Sequence, residues 1–233
     1  MSHKQNDISC VGFIMDGNRR WAKDQGKPTL EGHKKGAETF SEIAKAVRDR
    51  DIPHAVFFAF STENWNRSEE EVSYLMELFH EALDDAEKKL NDDKEKKVRL
   101  RIVGRREDFA PDLQERMTAL EMKSDEFEDV HTTIWIALSY GGRAEIVDAV
   151  NKAVASGEEV SEATFNDLLW TAEMPDPDII VRTSGEQRIS NFMTWKSVYS
   201  EFFFTDTLWP AFSIEEFDSI LSDYQNRHRR NGK

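Results

Sequence analysis

The chain has 233 residues, of which 39% are hydrophobic, so it can build a sizeable core in one large domain or two small ones. Its 45 acidic residues outnumber its 31 basic residues, and the formal net charge is −14. Nonspecific binding to nucleic acid depends on a cationic surface, so this balance disfavours a nucleic acid as the partner.

The beginning of the sequence predicts no targeting signal. Residues 1–7 are polar and are followed by only about seven apolar-leaning residues, too few for a secretory signal. No apolar run approaches the roughly 20 residues that a transmembrane helix needs. The one cysteine, Cys10, cannot form an internal disulfide, which favours a reducing compartment. We therefore expect a cytoplasmic protein whose residues 1–7 are disordered.

Short apolar runs alternate with helical patterns along the chain. The runs predict strands at 8–15, 54–60, 98–103, 132–138, 178–182 and 201–205. The patterns predict helices at 32–50, 69–90, 111–123, 144–155, 162–170, 191–199 and 214–228. Most of the strands are continuously apolar and helices separate them, which indicates parallel strands covered on both faces. We predict a single α/β domain over residues 1–233, with a mostly parallel six-stranded sheet flanked by helices.

Two of the predicted helices begin with the pattern of a reciprocal N-cap, in which a serine is followed by a glutamate three residues later. The pairs are Ser68 with Glu71 and Ser213 with Glu216. In the helix that follows Ser68, apolar residues recur at helical spacing and predict one wide apolar face. These residues are Val72, Leu75, Met76, Phe79 and Leu83.

The segment 12–21 carries the most informative pattern. Its apolar run ends in Asp16, Gly17 and Asn18, and Arg19 and Arg20 follow. A buried strand that ends in this way presents a carboxylate and backbone N–H groups at its carboxyl end. Mg²⁺ prefers hard oxygen ligands of this kind, and guanidinium groups bind phosphates. The segment therefore predicts a site for a magnesium-bound polyphosphate.

Polar segments also follow three other predicted strands, at residues 61–67, 139–143 and 182–191. In an open parallel sheet, ligands bind outside the carboxyl ends of the strands, so we expect the four segments to meet at one edge. Four arginines then gather on an otherwise acidic protein, which favours a strongly anionic ligand such as a diphosphate. These arginines are Arg20, Arg67, Arg182 and Arg188.

Six motifs occur in a fixed order along the chain. They are Met15-Asp16-Gly17-Asn18-x-Arg20-Trp21-Ala22, Gly32-His33-x-x-Gly36, Phe60-Ser61-x-Glu63-Asn64-Trp65-x-Arg67, Tyr140-Gly141-Gly142-Arg143, Arg182-Thr183-x-Gly185-Glu186-x-Arg188-Ile189-Ser190-Asn191-Phe192 and Leu208-Trp209-Pro210-x-Phe212. On these motifs the chain resembles the cis-prenyltransferases, the undecaprenyl diphosphate synthase family. The resemblance covers nearly the whole chain, and a chance match of six ordered motifs is not expected.

The resemblance implies a homodimeric, magnesium-dependent enzyme. Members of the family extend an allylic diphosphate, usually farnesyl diphosphate, with isopentenyl diphosphate units, creating Z double bonds and releasing diphosphate. The product would be a polyprenyl diphosphate such as undecaprenyl diphosphate, a lipid carrier for cell-wall synthesis. The C-terminal tail, residues 227–233, resembles the element that reaches the dimer partner and completes its site. Product length, the preferred primer and a peripheral membrane contact for product release stay open.

The resemblance also implies roles for individual residues. Asp16 and Glu201 match the family's magnesium-associated carboxylates, and Asn64 matches an asparagine proposed to assist proton removal from isopentenyl diphosphate. The matches to the allylic diphosphate site are Gly17, Asn18, Arg19, Arg20, Trp21 and His33. The matches to the second substrate loop are Ser61, Thr62, Glu63, Trp65 and Arg67. The matches to the isopentenyl diphosphate site are Arg182, Arg188, Ile189 and Ser190.

A growing polyprenyl chain needs an apolar tunnel, and the predicted core offers candidate walls. Strand alternation allows either Phe57 with Ala59 or Phe58 with Phe60 to face the tunnel. The other candidate wall residues are Leu75, Met76, Phe79, Ile134 and Ile136. By the resemblance, Ala59 stands at a small position where the family admits the chain.

One position departs from the family pattern. The family usually has an arginine four residues before His33, and here that residue is Thr29. A phosphate contact is therefore missing or is replaced by Lys27 or Lys34, with partial compensation by Arg19. We expect weaker binding of the allylic substrate rather than loss of function.

Other functions stay open from the sequence. A phosphatase with Asp16 as nucleophile would want a second aspartate where the chain has Asn18. A noncatalytic subunit of a heteromeric prenyltransferase would lack the aspartate and the phosphate-binding arginines that this chain retains. A short-chain Z-prenyl diphosphate synthase is a further alternative. A trans-type synthase is disfavoured, because the aspartate pairs at 84–85 and 92–93 lack the further aspartate of its metal motif.

Overall fold

Six apolar runs pair side by side into one sheet, and the observed pairings are parallel. The computed structural model describes residues 8–92, 97–157 and 159–227, so the predicted disorder at 1–7 and the predicted tail beyond Arg227 lie outside the described residues. The strands are β1 (Cys10–Ile14), β2 (His54–Ser61), β3 (Val98–Val103), β4 (Thr132–Tyr140), β5 (Ile179–Arg182) and β6 (Glu201–Phe204). Their order across the sheet is β3-β4-β2-β1-β5-β6. The prediction of a six-stranded parallel sheet in one α/β domain is confirmed.

Helices connect the strands and cover the sheet. The described residues form α1 (Asn18–Asp24), α2 (Thr29–Asp49), α3 (Glu69–Leu90), α4 (Pro111–Asp125), α5 (Gly142–Ser156), α6 (Glu162–Asn166) and α7 (Ile214–Asn226). Short 3₁₀ helices lie at Thr62–Asn66, Arg106–Asp108 and Trp209–Ala211. Within the described part of the chain, none of the helices combines the length and the apolar character needed to cross a membrane.

The helix predicted at 191–199 is wrong. Residues there form successive turns, because Ser190, Asn191 and Met193 have left-handed φ angles of 48°, 64° and 47°. The helix predicted at 162–170 ends early, at Asn166. The sequence pattern does not predict α1, whose seven residues are too few to show a helical period.

Apolar side chains fill both faces of the sheet. Phe13 and Phe57, on neighbouring strands, stack with ring centroids 4.8 Å apart in the cluster that α2, α3, α4 and α7 cover. On the opposite face, Val56 packs in a second cluster with Tyr140 and Phe192. The sheet is therefore buried on both sides, as its continuously apolar strands predict.

At each of the two predicted helix caps, only the hydrogen bond to the serine side chain forms. Ser68 and Ser213 accept hydrogen bonds from the backbone N–H groups of Glu71 and Glu216, at 3.3 Å and 3.2 Å. The two glutamate carboxylates are engaged elsewhere. That of Glu216 accepts from the Thr205 hydroxyl, and that of Glu71 lies in the candidate active site.

Candidate active site

The carboxyl ends of the strands bring the predicted polar segments to one edge of the sheet. β1 ends two residues before Asp16, and β5 ends at Arg182, whose register partner on β1 is Ile14. The segment 61–67 follows β2, and the segment 141–143 follows β4. The convergence expected from the sequence is therefore a direct result of parallel register.

Arg182 joins Asp16 to the loop that follows β5. Arg182 is 3% exposed, and its Nη2 donates to Asp16 Oδ2 at 2.8 Å. Its Nη1 donates to the Ser190 hydroxyl and to the Arg188 carbonyl oxygen, both at 2.6 Å. The Thr183 hydroxyl donates to the Asp16 carbonyl oxygen at 2.7 Å. One buried guanidinium thus fixes the leading carboxylate and the last polar loop relative to each other.

Arg20 places a second, more exposed cation beside Asp16. Its Nη2 lies 3.5 Å from Asp16 Oδ2, and its guanidinium donates to the carbonyl oxygen and the hydroxyl of Ser184. Burial raises the pKa of Asp16, but the hydrogen bond and charge of Arg182 and the charge of Arg20 outweigh it, so the pKa lies below its ordinary value. Asp16 is therefore ionised at neutral pH, between two cations.

Glu71, in the first turn of α3, contacts Arg67, His33 and Arg19. Its Oε1 accepts from Arg67 Nη1 at 2.8 Å and lies 3.0 Å from His33 Nε2. Its Oε2 lies 3.8 Å from Arg19 Nη1. The pKa of His33 lies below its ordinary value of 6.5, because burial outweighs the hydrogen bond to Glu71, so the imidazole is neutral at pH 7. The sequence indicates Glu71 only as a cap residue, although its i, i+4 spacing from Arg67 is that of a helical ion pair.

Two glycines let α1 and α2 approach each other closely. A Cβ at Gly32 would lie 2.0 Å from the Asn18 carbonyl oxygen, and a Cβ at Gly36 would lie 2.3 Å from Asn18 Oδ1. The Gly-His-x-x-Gly motif therefore packs the segment after Asp16 against α2, with His33 between the two glycines. The buried Asn18 Oδ1 finds no hydrogen-bond partner among the described residues.

The loop after β2 is shaped by its own polar side chains. Asn64 Oδ1 accepts from the Ser61 backbone N–H at 3.0 Å. The indole N–H of Trp65 donates to the Ser139 hydroxyl, on β4, at 2.9 Å. The structure therefore brings the second substrate loop to the same edge of the sheet as Asp16, with Asn64 built into a turn.

Within one chain, the structure does not bring Glu201 to Asp16. Glu201 begins β6 and pairs with Ile179, at the amino end of β5. Ile179 also pairs with Val11, five residues before Asp16, so the offset along the strands is about 16 Å. Glu201 accepts a hydrogen bond from Arg227 at 2.7 Å. The two carboxylates therefore do not meet within one subunit, and the magnesium role of Glu201 stays a prediction.

An apolar cavity of about 130 Å³ lies between the sheet and helices α2 and α3, and Asn18 and His33 are among the residues that line it. It extends to Met117, on α4. The predicted wall residues that line it are Phe58, Ala59, Leu75, Phe79 and Ile136. The other predicted wall residues pack in the surrounding core, namely Phe57, Phe60, Met76 and Ile134. The structure thus provides an apolar cavity where the sequence predicts the tunnel.

A bulge in β2 changes the face that Phe60 takes. Phe58 pairs with Ala137 and Phe60 pairs with the next residue, Leu138, so Ala59 is the extra residue. Phe57 and Ala59 share one face, as the first predicted pair has it, and the bulge brings Phe60 to that face as well.

The position that departs from the family pattern lies at the start of α2. Thr29 is the first residue of the helix, and Lys27 lies just before it. The Lys27 ammonium is 5.1 Å from the centroid of the Trp21 ring, a cation–π contact. Lys27 is thereby held beside α1, which makes it a candidate for the missing phosphate contact.

Comparisons with known proteins agree with this geometry. A family model described as "Putative undecaprenyl diphosphate synthase" matches residues 14–232. The chain is 43% identical over 224 residues to an isoprenyl transferase of Chromobacterium violaceum. That alignment covers 96% of this chain and 87% of the relative. It is 42% identical over 244 residues to the ditrans,polycis-undecaprenyl-diphosphate synthase ((2E,6E)-farnesyl-diphosphate specific) of Micrococcus luteus, covering 98% and 95%.

A solved structure is similar over nearly its whole length. The lavandulyl diphosphate synthase from Lavandula x intermedia, in complex with dimethylallyl diphosphate, has a TM-score of 0.90 and 31% identity. The match covers 97% of this chain and 99% of that chain. These matches exclude the two alternatives of a phosphatase and a trans-type synthase. The chain belongs to the undecaprenyl diphosphate synthase family and is a cis-prenyltransferase.

Proposed function

We propose that this protein condenses isopentenyl diphosphate onto an allylic diphosphate and releases diphosphate, with a Z double bond in each added unit. One observation carries the proposal: ionised Asp16 lies between Arg20 and Arg182, and its neighbour Met15 lines an apolar cavity. The carboxylate and the cations suit a metal-bound diphosphate, and the cavity suits its hydrocarbon chain.

Mg²⁺ is the cofactor that this donor set fits. Within the described ranges, no group of three or more His, Cys, Asp or Glu side chains converges. Mg²⁺ suits such a site, because it is usually bound by one or two carboxylates together with substrate phosphates. Asp16 would hold the ion from the protein side. The ion would stabilise the negative charge that develops on the departing diphosphate.

The two substrates are assigned to different loops. Asn18 and His33 are polar residues that line the cavity, so the allylic diphosphate is assigned beside them, with its hydrocarbon chain in the cavity. Arg188 and Ser190 are joined to Asp16 through Arg182, so isopentenyl diphosphate is assigned to the loop after β5. Both diphosphates then lie beside one carboxylate, which suits a reaction between their carbon chains.

In the reaction, the C1–O bond of the allylic diphosphate breaks and the diphosphate leaves with the electron pair. C4 of isopentenyl diphosphate forms the new bond to C1, and one proton then leaves C2 of the added unit. An amide is a poor base, so we assign Asn64 a positioning role and the proton to a phosphate oxygen. The use of Asn64 Oδ1 inside the turn, by the Ser61 N–H, supports that assignment.

Farnesyl diphosphate is the proposed primer and a long polyprenyl diphosphate the proposed product. The relative from Micrococcus luteus, whose name specifies farnesyl diphosphate, supports this choice. The similarity to lavandulyl diphosphate synthase makes a short-chain product the second candidate.

A homodimer is the proposed assembly. On α5, Val147, Val150 and Val154 are 57%, 44% and 75% exposed, and their spacing places them on one helix face. Val198 and Tyr199 add further exposed apolar surface. An exposed apolar patch of this kind is typical of a surface that a partner covers.

Incubation with labelled isopentenyl diphosphate and Mg²⁺ tests the proposal, with dimethylallyl or farnesyl diphosphate in separate reactions and chromatography of the products. Extension of farnesyl diphosphate into long products is expected, and extension of dimethylallyl diphosphate alone would select the short-chain candidate. Asp16→Asn should abolish incorporation, whereas the matched surface variant Asp223→Asn should not. A folded protein that extends neither primer would refute the proposal and favour a noncatalytic subunit.

A further inference from the structure

Asn191 connects three loops of the active-site edge. Its Oδ1 accepts from the Arg143 backbone N–H at 2.8 Å, and its carbonyl oxygen accepts from the Gly142 N–H at 2.7 Å. Its Nδ2 donates to Glu63 Oε1 at 3.0 Å. These bonds join the loop after β5 to the first turn of α5 and to the loop after β2.

The backbone at Asn191 is fixed in a conformation that asparagine tolerates. Its φ is 64°, and Ser190 before it has φ 48°. Asparagine is among the few non-glycine residues that adopt this left-handed region readily. Its amide is also closely packed, because a Cβ at Gly141 would lie 2.8 Å from Asn191 Nδ2. The side chain therefore has a defined place between the loops.

The neighbours of these contacts are the groups assigned to the substrates. Ser190, next to Asn191, accepts a hydrogen bond from Arg182, which in turn holds Asp16. Glu63, on the other loop, directly precedes Asn64. The Asn191–Glu63 hydrogen bond is thus a short connection between the isopentenyl diphosphate loop and the loop that carries Asn64.

We propose that Asn191 is a positioning residue that fixes the distance between these two loops, so that isopentenyl diphosphate and Asn64 meet in the geometry needed for proton loss. This inference rests on the proposed function and adds to it a residue that touches neither substrate. The bond has a polarity that can be tested, since the amide donates and the carboxylate accepts.

The experiment reverses the direction of the hydrogen bond between Asn191 and Glu63. Asn191→Asp keeps an acceptor for the Arg143 N–H but sets a carboxylate against Glu63. Glu63→Gln alone keeps an acceptor for Asn191. In the double variant, the new amide at position 63 can donate to the new carboxylate at position 191, which restores the bond with its direction reversed. The kcat and the KM for isopentenyl diphosphate are measured for all four proteins, together with thermal unfolding.

We expect Asn191→Asp to lower kcat/KM for isopentenyl diphosphate by about tenfold or more, as the loss of one hydrogen bond predicts. The double variant should recover to about the level of Glu63→Gln, with an unchanged KM for the allylic substrate throughout. Losses that simply multiply in the double variant would overturn the proposal, because two residues that act through a shared hydrogen bond are coupled. An unchanged kcat/KM with only the thermal unfolding shifted would also overturn it, because the role of Asn191 would then be purely structural.

Hydrogen exchange makes the outcome independent of the proposed function. Asn191→Gly permits the left-handed backbone but removes the side chain, so the Arg143 amide should exchange faster than in the wild-type protein. If the wild type extends no primer, the proposed function fails, and an unchanged exchange rate at Arg143 would refute the defined place of the Asn191 side chain between the loops. If the wild type is active and the rescue fails, only the positioning role is lost.

Discussion

Arg182→Met tests the structural centre of the site. The substitution removes three hydrogen bonds: one to the Asp16 carboxylate and two to the uncharged acceptors Ser190 and Arg188. Such bonds contribute roughly 1.5–3 and 0.5–1.5 kcal/mol each. The Asp16 side chain is 34% exposed, which reduces the first contribution. The Arg182 Nε lacks a partner in the described part of the chain, and its removal relieves part of the loss.

We therefore expect Arg182→Met to lower the free energy of unfolding by about 2–3 kcal/mol. For a chain of this length that corresponds to a fall in Tm of about 4–12 °C, measured by calorimetry. Turnover should fall more steeply, by about 10²- to 10³-fold, because a charge that stabilises the diphosphates is lost.

The pH dependence separates this account from simple unfolding. Without Arg182, the pKa of Asp16 should rise toward its ordinary value, so the acid limb of the pH–activity profile should move to higher pH. Arg182→Lys keeps the charge and should shift that limb less. Turnover within threefold of the wild-type value, with an unshifted acid limb, would show that Arg182 neither holds Asp16 nor stabilises the diphosphates.

Three further predictions concern His33, the apolar cavity and the exposed face of α5. The pKa of His33 is lowered in the folded state, so the unfolded chain binds its proton more readily and the wild-type protein should lose stability as the pH falls below about 6.5. In denaturant titrations from pH 7 to 5, His33→Gln should lose less stability than the wild type. An equal slope in both proteins would contradict this. Ala59→Leu fills the cavity and should shorten the products on chromatography; unchanged lengths would place the growing chain elsewhere. Val150→Glu combined with Val154→Glu should yield monomers in light scattering, and an intact dimer would exclude the α5 face as the interface.

The sheet and its active edge could be predicted from the sequence because their signals are local. Continuous apolar runs separated by helices indicate parallel strands, and parallel strands end at one edge. Asp16 and Arg182 each stand at the end of such a run, so their meeting required no knowledge of side-chain packing.

What escaped prediction depends on tertiary contacts. Apolar residues in 191–199 imitate a helical period, whereas the left-handed Ser190 and Asn191 break it without a glycine to mark the break. The pattern of α3 indicates Glu71 as a cap, but its carboxylate binds Arg67 and His33 across the site. The bulge at Ala59 changes which face a strand residue takes, and a period of two cannot show it.

Glu201 differs from these cases, because its magnesium role stays a prediction. A family motif records which residue types occur in order, and it does not record where each lies on the sheet. The parallel register places Glu201 at the amino end of the strands, away from the edge that holds Asp16.

A crystal structure with Mg²⁺ and a nonhydrolysable thio analogue of farnesyl diphosphate would show where the diphosphate and its hydrocarbon chain bind. We expect the diphosphate beside Asp16 and Arg20, with the hydrocarbon chain passing His33 and running between α2 and α3 toward Met117. A diphosphate bound away from Asp16, or a chain that lies outside this cavity, would contradict this expectation.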